Sequence, residues 1–278
     1  MATTVLERPP RLGPLYRAAA LRRSTGSTLP DRELRLEGVR VDLAHLAEYD
    51  RVCGFRLSDE LPATYPHVLA FPLAMALMTA EDFPFPLLGL VHVANRIDVR
   101  RPLHSGETFA LSVRAEGLRP HERGTQLDVV ATAESGGEVV WKDRSTYLRK
   151  TGKSAKSDKS DRGEPPPATA VWSVPRRTGT DYAAVSGDRN PIHTSRILAR
   201  AFGFPKPIAH GMWTMARCLA ALEGRLPDAY GVDVAFKLPI LLPATVGFEA
   251  QPQNIWRFAV HDRRTGKPHL AGAIIEPD

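Results

Sequence analysis

Cysteine is scarce: Cys53 and Cys218 are the only two among 278 residues. That count excludes a disulfide framework and fits a reducing compartment, so a cytoplasmic location is expected. Long apolar runs are missing as well. The longest nearly uncharged stretch, Val68–Ala80, is too short to cross a bilayer and has the length of a buried helix. No secretory signal is legible, and Pro9, Pro10 and Pro14 interrupt any amphipathic transit-type helix in the Arg-rich start. A basic folded body is also absent by count. The net charge is +6, but residues 1–30 carry +4 and residues 149–165 carry +3, which leaves −1 for the rest. Charge in a tail and a linker is usually solvated, so nucleic-acid binding is not expected. Large apolar side chains are missing from residues 152–170, a Lys-, Ser-, Asp- and Pro-rich segment that cannot offset its ordering entropy.

What is present is ordinary for a globular chain long enough for two small domains, with 43% hydrophobic and 24% charged residues. Residues 1–30 read as a flexible arm. Residues 31–151 form one unit: an alternating run at Leu34–Val41, a helix at Leu43–Val52, a buried helix at Val68–Ala80, then four strands within Val91–Arg149. Residues 152–170 read as a disordered linker. Residues 171–278 form a second unit with a strand at Val171–Arg176, short helices at Asp181–Val185 and Arg196–Phe202, a buried helix at Met212–Glu223, and four more strands. Helix followed by consecutive antiparallel strands is an α+β pattern. The halves look duplicated. Pro102 and Gly106 match Pro243 and Gly247, and Pro66 matches Pro207, all at an offset of 141 residues.

The chemistry concentrates in residues 178–216. Ser186-Gly187-Asp188 is a turn signal, and Pro191 pushes Asn190 out of the helical region. Asp188 and His193 are therefore expected on a constrained, non-helical segment facing one pocket. A carboxylate beside an imidazole is a proton-transfer pair. Ala209-His210-Gly211-Met212 leads into an apolar helix, where a free N–H of Gly211 or Met212 can stabilise a negative oxygen. Acid, base and oxyanion donor are what proton abstraction next to a carbonyl needs. His210 reads as shaping the loop. Asp188, His193 and His210 could also ligate a metal, but no H-E-x-x-H pattern accompanies them, so no metal is expected.

The run Tyr182-Ala183-Ala184-Val185-Ser186-Gly187-Asp188-Arg189-Asn190-Pro191-Ile192-His193, followed by Pro207-Ile208-Ala209-His210-Gly211-Met212, resembles the hydratase-2 motif of MaoC-like (R)-specific enoyl-thioester hydratases and dehydratases. The resemblance implies Asp188 and His193 as the catalytic pair, Gly211 as the oxyanion donor, and Asn190, with Ser186 of the same turn, as ordering the site. It implies a double hot-dog fold, each unit a long helix wrapped by a curved antiparallel sheet. Some relatives carry a Ser further into the buried helix, where this chain reads Arg217-Cys218-Leu219. The implied substrate is an acyl thioester on coenzyme A or acyl carrier protein, with no cofactor. In the repeat register Asp188 falls on Ala47, His193 on Val52 and Gly211 on Ala70, so the first half lacks the reactive pair. By the same resemblance that half accommodates the acyl chain, with Val68, Phe71, Leu73 and Met75 as candidate lining. The expected reaction is reversible hydration of trans-2-enoyl thioesters in fatty-acid or related lipid metabolism, by a monomer or homodimer. The alternatives are a hot-dog acyl-CoA thioesterase and a non-catalytic acyl-thioester-binding subunit.

Overall fold

Leu34 and Leu36 alternate with charged neighbours, which gives Arg32–Arg40 one buried face and makes it a strand. The same logic runs through the computed structural model, which describes residues 1–21, 27–87, 89–150, 166–252 and 256–278. The chain divides into two units, Met1–Asp42 with Asp59–Ser157, and Leu43–Ser58 with Asp158–Asp278.

The first unit contains β1 (Ala2–Leu6), α1 (Leu12–Leu21), β2 (Arg32–Arg40), α3 (Tyr65–Met78), β3 (Leu90–Val99), β4 (Thr108–His121), β5 (Gly124–Ser135) and β6 (Glu138–Lys150). Its strands are ordered β1-β2-β4-β5-β6-β3, antiparallel except for the parallel β1–β2 pair. Helix α3 packs on β2, β4 and β5. Its residues Leu73, Met75, Leu77 and Met78 are buried, each contributing about 1.5–3 kcal/mol by leaving water. Pro66 sits in the first turn of α3, where its missing N–H is not needed. Trp141 is fully buried, and its Nε1–H donates to the Ala63 carbonyl at 2.7 Å, so the core gains the ring without stranding a donor.

The second unit contains α2 (Leu43–Cys53), β7 (Ala170–Val174), α4 (Thr178–Ser186), α5 (Pro191–Thr194), α6 (Arg196–Ala201), α7 (Gly211–Ala221), β8 (Tyr230–Phe236), β9 (Ala244–Gln251), β10 (Arg257–Asp262) and β11 (Pro268–Ile275). Its antiparallel strands are ordered β8-β11-β10-β9-β7. Read from the other end, β7-β9-β10-β11-β8 repeats β2-β4-β5-β6-β3 strand for strand. In both units the buried helix follows the first strand of that set. This is the double hot-dog plan.

Four features differ from the sequence reading. Residues 2–21 are not a loose arm: β1 extends the first sheet through five paired positions, and α1 follows. Residues 43–58 belong with the second unit, whereas the sequence division keeps them in 31–151. Most of the expected linker, residues 151–165, lies outside the described residues, and Ala170 is already in β7. The duplication is real in topology, but its Pro and Gly landmarks are not equivalent. Pro243 runs directly into β9 and Gly247 lies within that strand, whereas Pro102 lies six residues before β4 and Gly106 sits in the preceding turn.

Within α2, Asp50 is 2% exposed, and neither carboxylate oxygen makes a hydrogen bond among the described residues. Burial, with Glu223 nearby, pushes its acid up to about 7. The folded state therefore holds a proton that the unfolded chain releases near its ordinary value of about 4. Asp50 costs stability increasingly as pH rises through 4–7, and that cost is fully present above pH 7. Asp50→Asn should raise the melting temperature at pH 8 by a few degrees and leave it nearly unchanged at pH 4, as thermal melts at the two pH values would read.

Candidate active site

Helix α4 ends at Ser186, and Gly187 follows at φ 73°, the left-handed conformation that closes a helix and that L side chains resist. The Ser186 hydroxyl donates to the Tyr182 carbonyl at 2.7 Å and accepts the Asp188 N–H at 3.1 Å. Asp188 is thus delivered by a tightly bonded turn. Its Oδ1 accepts the Asn190 N–H at 3.1 Å. Asn190 is extended, as a residue before proline must be, and its side chain accepts the Ile192 N–H at 3.3 Å. Asn190 therefore caps α5, the short helix that carries His193. The sequence reading placed His193 on a non-helical segment. The cap and Pro191 at the first helical position make one turn of helix instead.

His193 is buried, and its Nδ1 bonds the Ile208 carbonyl at 2.8 Å. A carbonyl only accepts, so Nδ1 carries the proton and Nε2 presents a lone pair. Nε2 lies 3.9 Å from Asp188 Oδ2. That is too long for a direct hydrogen bond and the right separation for two groups bonding one oxygen between them. Burial lowers the His193 pKa, partly opposed by the Asp188 charge and the bond to Ile208, so the ring is neutral at pH 7.

His210 caps α7 from an extended conformation. Its Nε2–H donates to the Asp188 carbonyl at 2.9 Å, and its ring stacks on His193 with centroids 3.6 Å apart. Burial, with His193 beside it, lowers its pKa to about 3, so it too stays neutral. His210 holds the backbone of Asp188 and the face of His193 together, a more central part than shaping a loop. The ligand atoms of Asp188, His193 and His210 lie within 4.8 Å of one another. His210 Nε2 is committed as a donor to Asp188, so the ring's lone pair lies on Nδ1, which is buried with no hydrogen-bond partner among the described residues.

Gly211 is the first residue of α7, directly after His210. Its N–H has no intrahelical acceptor and lies at the positive end of the helix dipole. A Cβ at Gly211 would come within 3.0–3.1 Å of three atoms of the Phe236 ring, so glycine lets α7 start close against β8. One turn into α7 the hydroxyl of Thr214 donates to the His210 carbonyl at 3.2 Å. Cys218 is buried and its thiol is pushed up by burial, which removes it from chemistry at neutral pH.

Helix α2 supports this arrangement and has no signal in the motif. His45 Nε2 donates to the Val185 carbonyl at 2.8 Å, and the Trp213 indole donates to the Val52 carbonyl at 3.1 Å. The Tyr49 ring lies 6.3 Å from Tyr182, which lies 4.9 Å from His210. Of the expected acyl-pocket residues, Val68, Leu73 and Met75 are buried core of the first unit. Only Phe71 faces a small cavity there, with His67, Ala70, Ala74, Asp143 and Tyr147. Val68, Phe71 and Met75, at i, i+3 and i+7, share one face of α3, whereas Leu73 points to the opposite side.

The profile of the MaoC like domain family matches residues 159–272. The chain is 40% identical over 251 residues to 3-hydroxyacyl-thioester dehydratase X of Mycobacterium tuberculosis, covering 88% of this chain and 90% of that protein. It is 27% identical to enoyl-CoA hydratase ChsH3 of the same organism, over 72% of this chain and 74% of the relative. The crystal structure of HtdX of M. tuberculosis superposes with a TM-score of 0.80 at 38% identity, covering 88% of this chain and all of that one.

Gly179, on α4, is an unsignalled member of the site. A Cβ there would overlap the His193 carbonyl oxygen, which is backbone and cannot swing away. Gly179→Ala should destabilise the fold by about 1–3 kcal/mol, as overpacking does. Chemical denaturation should show a lower midpoint with an unchanged slope.

Proposed function

This chain belongs to the MaoC-like dehydratase family, and on that premise we propose that it reversibly hydrates trans-2-enoyl thioesters to (R)-3-hydroxyacyl thioesters in fatty-acid or related lipid metabolism. One observation carries the reading: the lone pair of His193 Nε2 and the Asp188 Oδ2 atom stand 3.9 Å apart, each fixed by its own backbone bond.

In the hydration direction one water donates to both acceptors and turns its own lone pair toward C3 of the enoyl group. One of the pair takes a proton as the C–O bond forms. The pair returns a proton to C2 on the same face, so addition is syn. Negative charge moves to the thioester oxygen as the enolate develops, and the Gly211 N–H meets it. General acid–base help of this kind is worth roughly 10²–10⁴-fold. A coupled carboxylate and imidazole titrate as a unit, so the two share the acid and base roles. Water adds across the double bond with no external oxidant or reductant, and the chemistry needs neither a metal nor a redox cofactor. A thioesterase reading is disfavoured because α7, GMWTMARCLAA, carries no carboxylate to activate water.

The substrate is an acyl chain held as a thioester on coenzyme A or a carrier protein. The buried, disulfide-free Cys53 and Cys218 suit a reducing compartment. No helix among the described residues is long and apolar enough to cross a membrane.

The test is hydration of crotonyl-CoA and longer enoyl-CoAs, followed as loss of enoyl absorbance with chiral analysis of the product. Asp188→Asn and His193→Gln should each lower kcat/KM by about 10²–10⁴-fold without changing the melting temperature much. Wild-type rates in either variant would defeat the assignment. The pH profile adds a second reading. His193 must be neutral to accept a proton, and its pKa lies below the ordinary 6.5. The rate of hydration should therefore be level from pH 7 upward to about 8 and fall only below pH 6.5.

A further inference from the structure

The repeat register leaves the first unit without counterparts of Asp188 and His193, yet the fold gives that unit a carboxylate–imidazole pair from other positions. His67, in the first turn of α3, has its Nδ1 2.6 Å from Asp143 Oδ2 on β6. A carboxylate only accepts, so Nδ1 carries the proton and the neutral ring presents its lone pair at Nε2. Asp143 is buried and held from behind. Its Oδ1 takes the Asn95 amide at 2.5 Å, and the same amide reaches Ser145 Oγ at 3.1 Å. The His67 side chain is 15% exposed and lines a small cavity. The geometry differs from that of the second unit, where 3.9 Å between the partners leaves space for one oxygen. Here the carboxylate sits behind the ring, which fixes the tautomer and steadies the imidazolium that forms when Nε2 takes a proton.

The cavity fits that arrangement. His67, Ala70 and Ala74 share one face of α3, and the two alanines leave a gap against Val129 and Ala131 of β5. The gap has room for about one water. Tyr147 lines the same cavity and brings a phenolic O–H to its wall. Asn95 Oδ1 is buried with no hydrogen-bond partner among the described residues, so the network is not closed on itself as a purely structural one is.

We propose that the first unit hydrolyses short acyl esters, with His67 as the general base that activates a water in this cavity and Asp143 as its positioning residue. The proposal is independent of the thioester reading above. The water donates to Nε2, and its oxygen attacks the ester carbonyl carbon as Nε2 takes the proton. The bond from that carbon to the alcohol oxygen then breaks, and the imidazolium returns its proton to the departing oxygen. An acid and an alcohol leave, His67 is neutral again, and nothing is oxidised or reduced. The close walls of alanine and valine select a short acyl group.

The test is hydrolysis of p-nitrophenyl acetate and p-nitrophenyl octanoate, read as nitrophenolate release above the buffer rate. The wild type should hydrolyse the acetate and favour it over the octanoate. His67→Gln and Asp143→Asn should each lower kcat on the acetate by roughly 10²-fold or more, the second because an amide permits the wrong tautomer. The double variant should be no worse than either single one, since the two act as a unit. Hydration of crotonyl-CoA should stay within about twofold in His67→Gln, with an unchanged melting temperature. Where Asp143→Asn lowers the melting temperature, His67→Gln alone decides. A wild-type rate equal to buffer, retained hydrolysis in His67→Gln, or an octanoate rate matching the acetate rate overturns the proposal. So does an equal fall of hydration and ester hydrolysis in His67→Gln, which marks a structural role. Ester hydrolysis lost in His67→Gln, in a wild type that hydrates no enoyl-CoA, supports this site and overturns the hydratase reading.

Discussion

The site depends on a strap of four residues, Pro207–His210, bonded along both edges. On one edge the Ile208 N–H donates to the Ile192 carbonyl at 3.1 Å while the Ile208 carbonyl takes the Nδ1–H of His193 at 2.8 Å. On the other, Ala209 N–H reaches Ile240 and Leu242 N–H reaches Pro207, at 2.9 and 2.8 Å. His210 then turns into α7 and clasps the Asp188 carbonyl. Strap, cap and turn leave little freedom at any of the three positions that do chemistry. The tautomer of His193 follows directly, because the strap offers a carbonyl and only a carbonyl to Nδ1. A histidine so held presents the same nitrogen in every molecule, and no population is lost to the wrong form.

Electrostatics follow the same economy. Both imidazoles are buried and kept neutral, so two stacked rings 3.6 Å apart never become two adjacent cations at working pH. Asp188 supplies the charge, and it alone of the three is partly exposed. A charged carboxylate against a neutral base is a pair poised to exchange one proton rather than a closed salt bridge.

Much of this could be read from the chain. Asp188 and His193 were marked by a turn, a proline and their spacing, and the strands of both units by alternation, because those signals are local. Most of the misses were not local. Helix α2 carries an amphipathic pattern that says it is buried, but nothing in Leu43–Cys53 says against what. Asn190 was read as a residue forced extended by Pro191, and its side chain turned that constraint into a cap that starts α5. Prolines and a glycine recur at a constant interval of 141, whereas the shared feature is strand order, which pairing determines and residue counting does not. Gly179 gave no signal at all, since its need comes from a carbonyl fourteen residues away.

The path of the chain through α2 has a consequence for how the protein can be taken apart. The catalytic unit is written in two pieces, Leu43–Ser58 and the stretch from residue 158 onward, with Asp59–Ser157 of another unit in between. The MaoC like domain match begins at residue 159 and so omits the first piece. A gene fragment cut between residues 150 and 166 would encode every reacting group yet lack His45, Tyr49 and the Val52 carbonyl that brace them. Fusion partners, split reporters and domain exchanges built on this chain should therefore carry α2 along with the motif, joined as a circular permutation or supplied in trans.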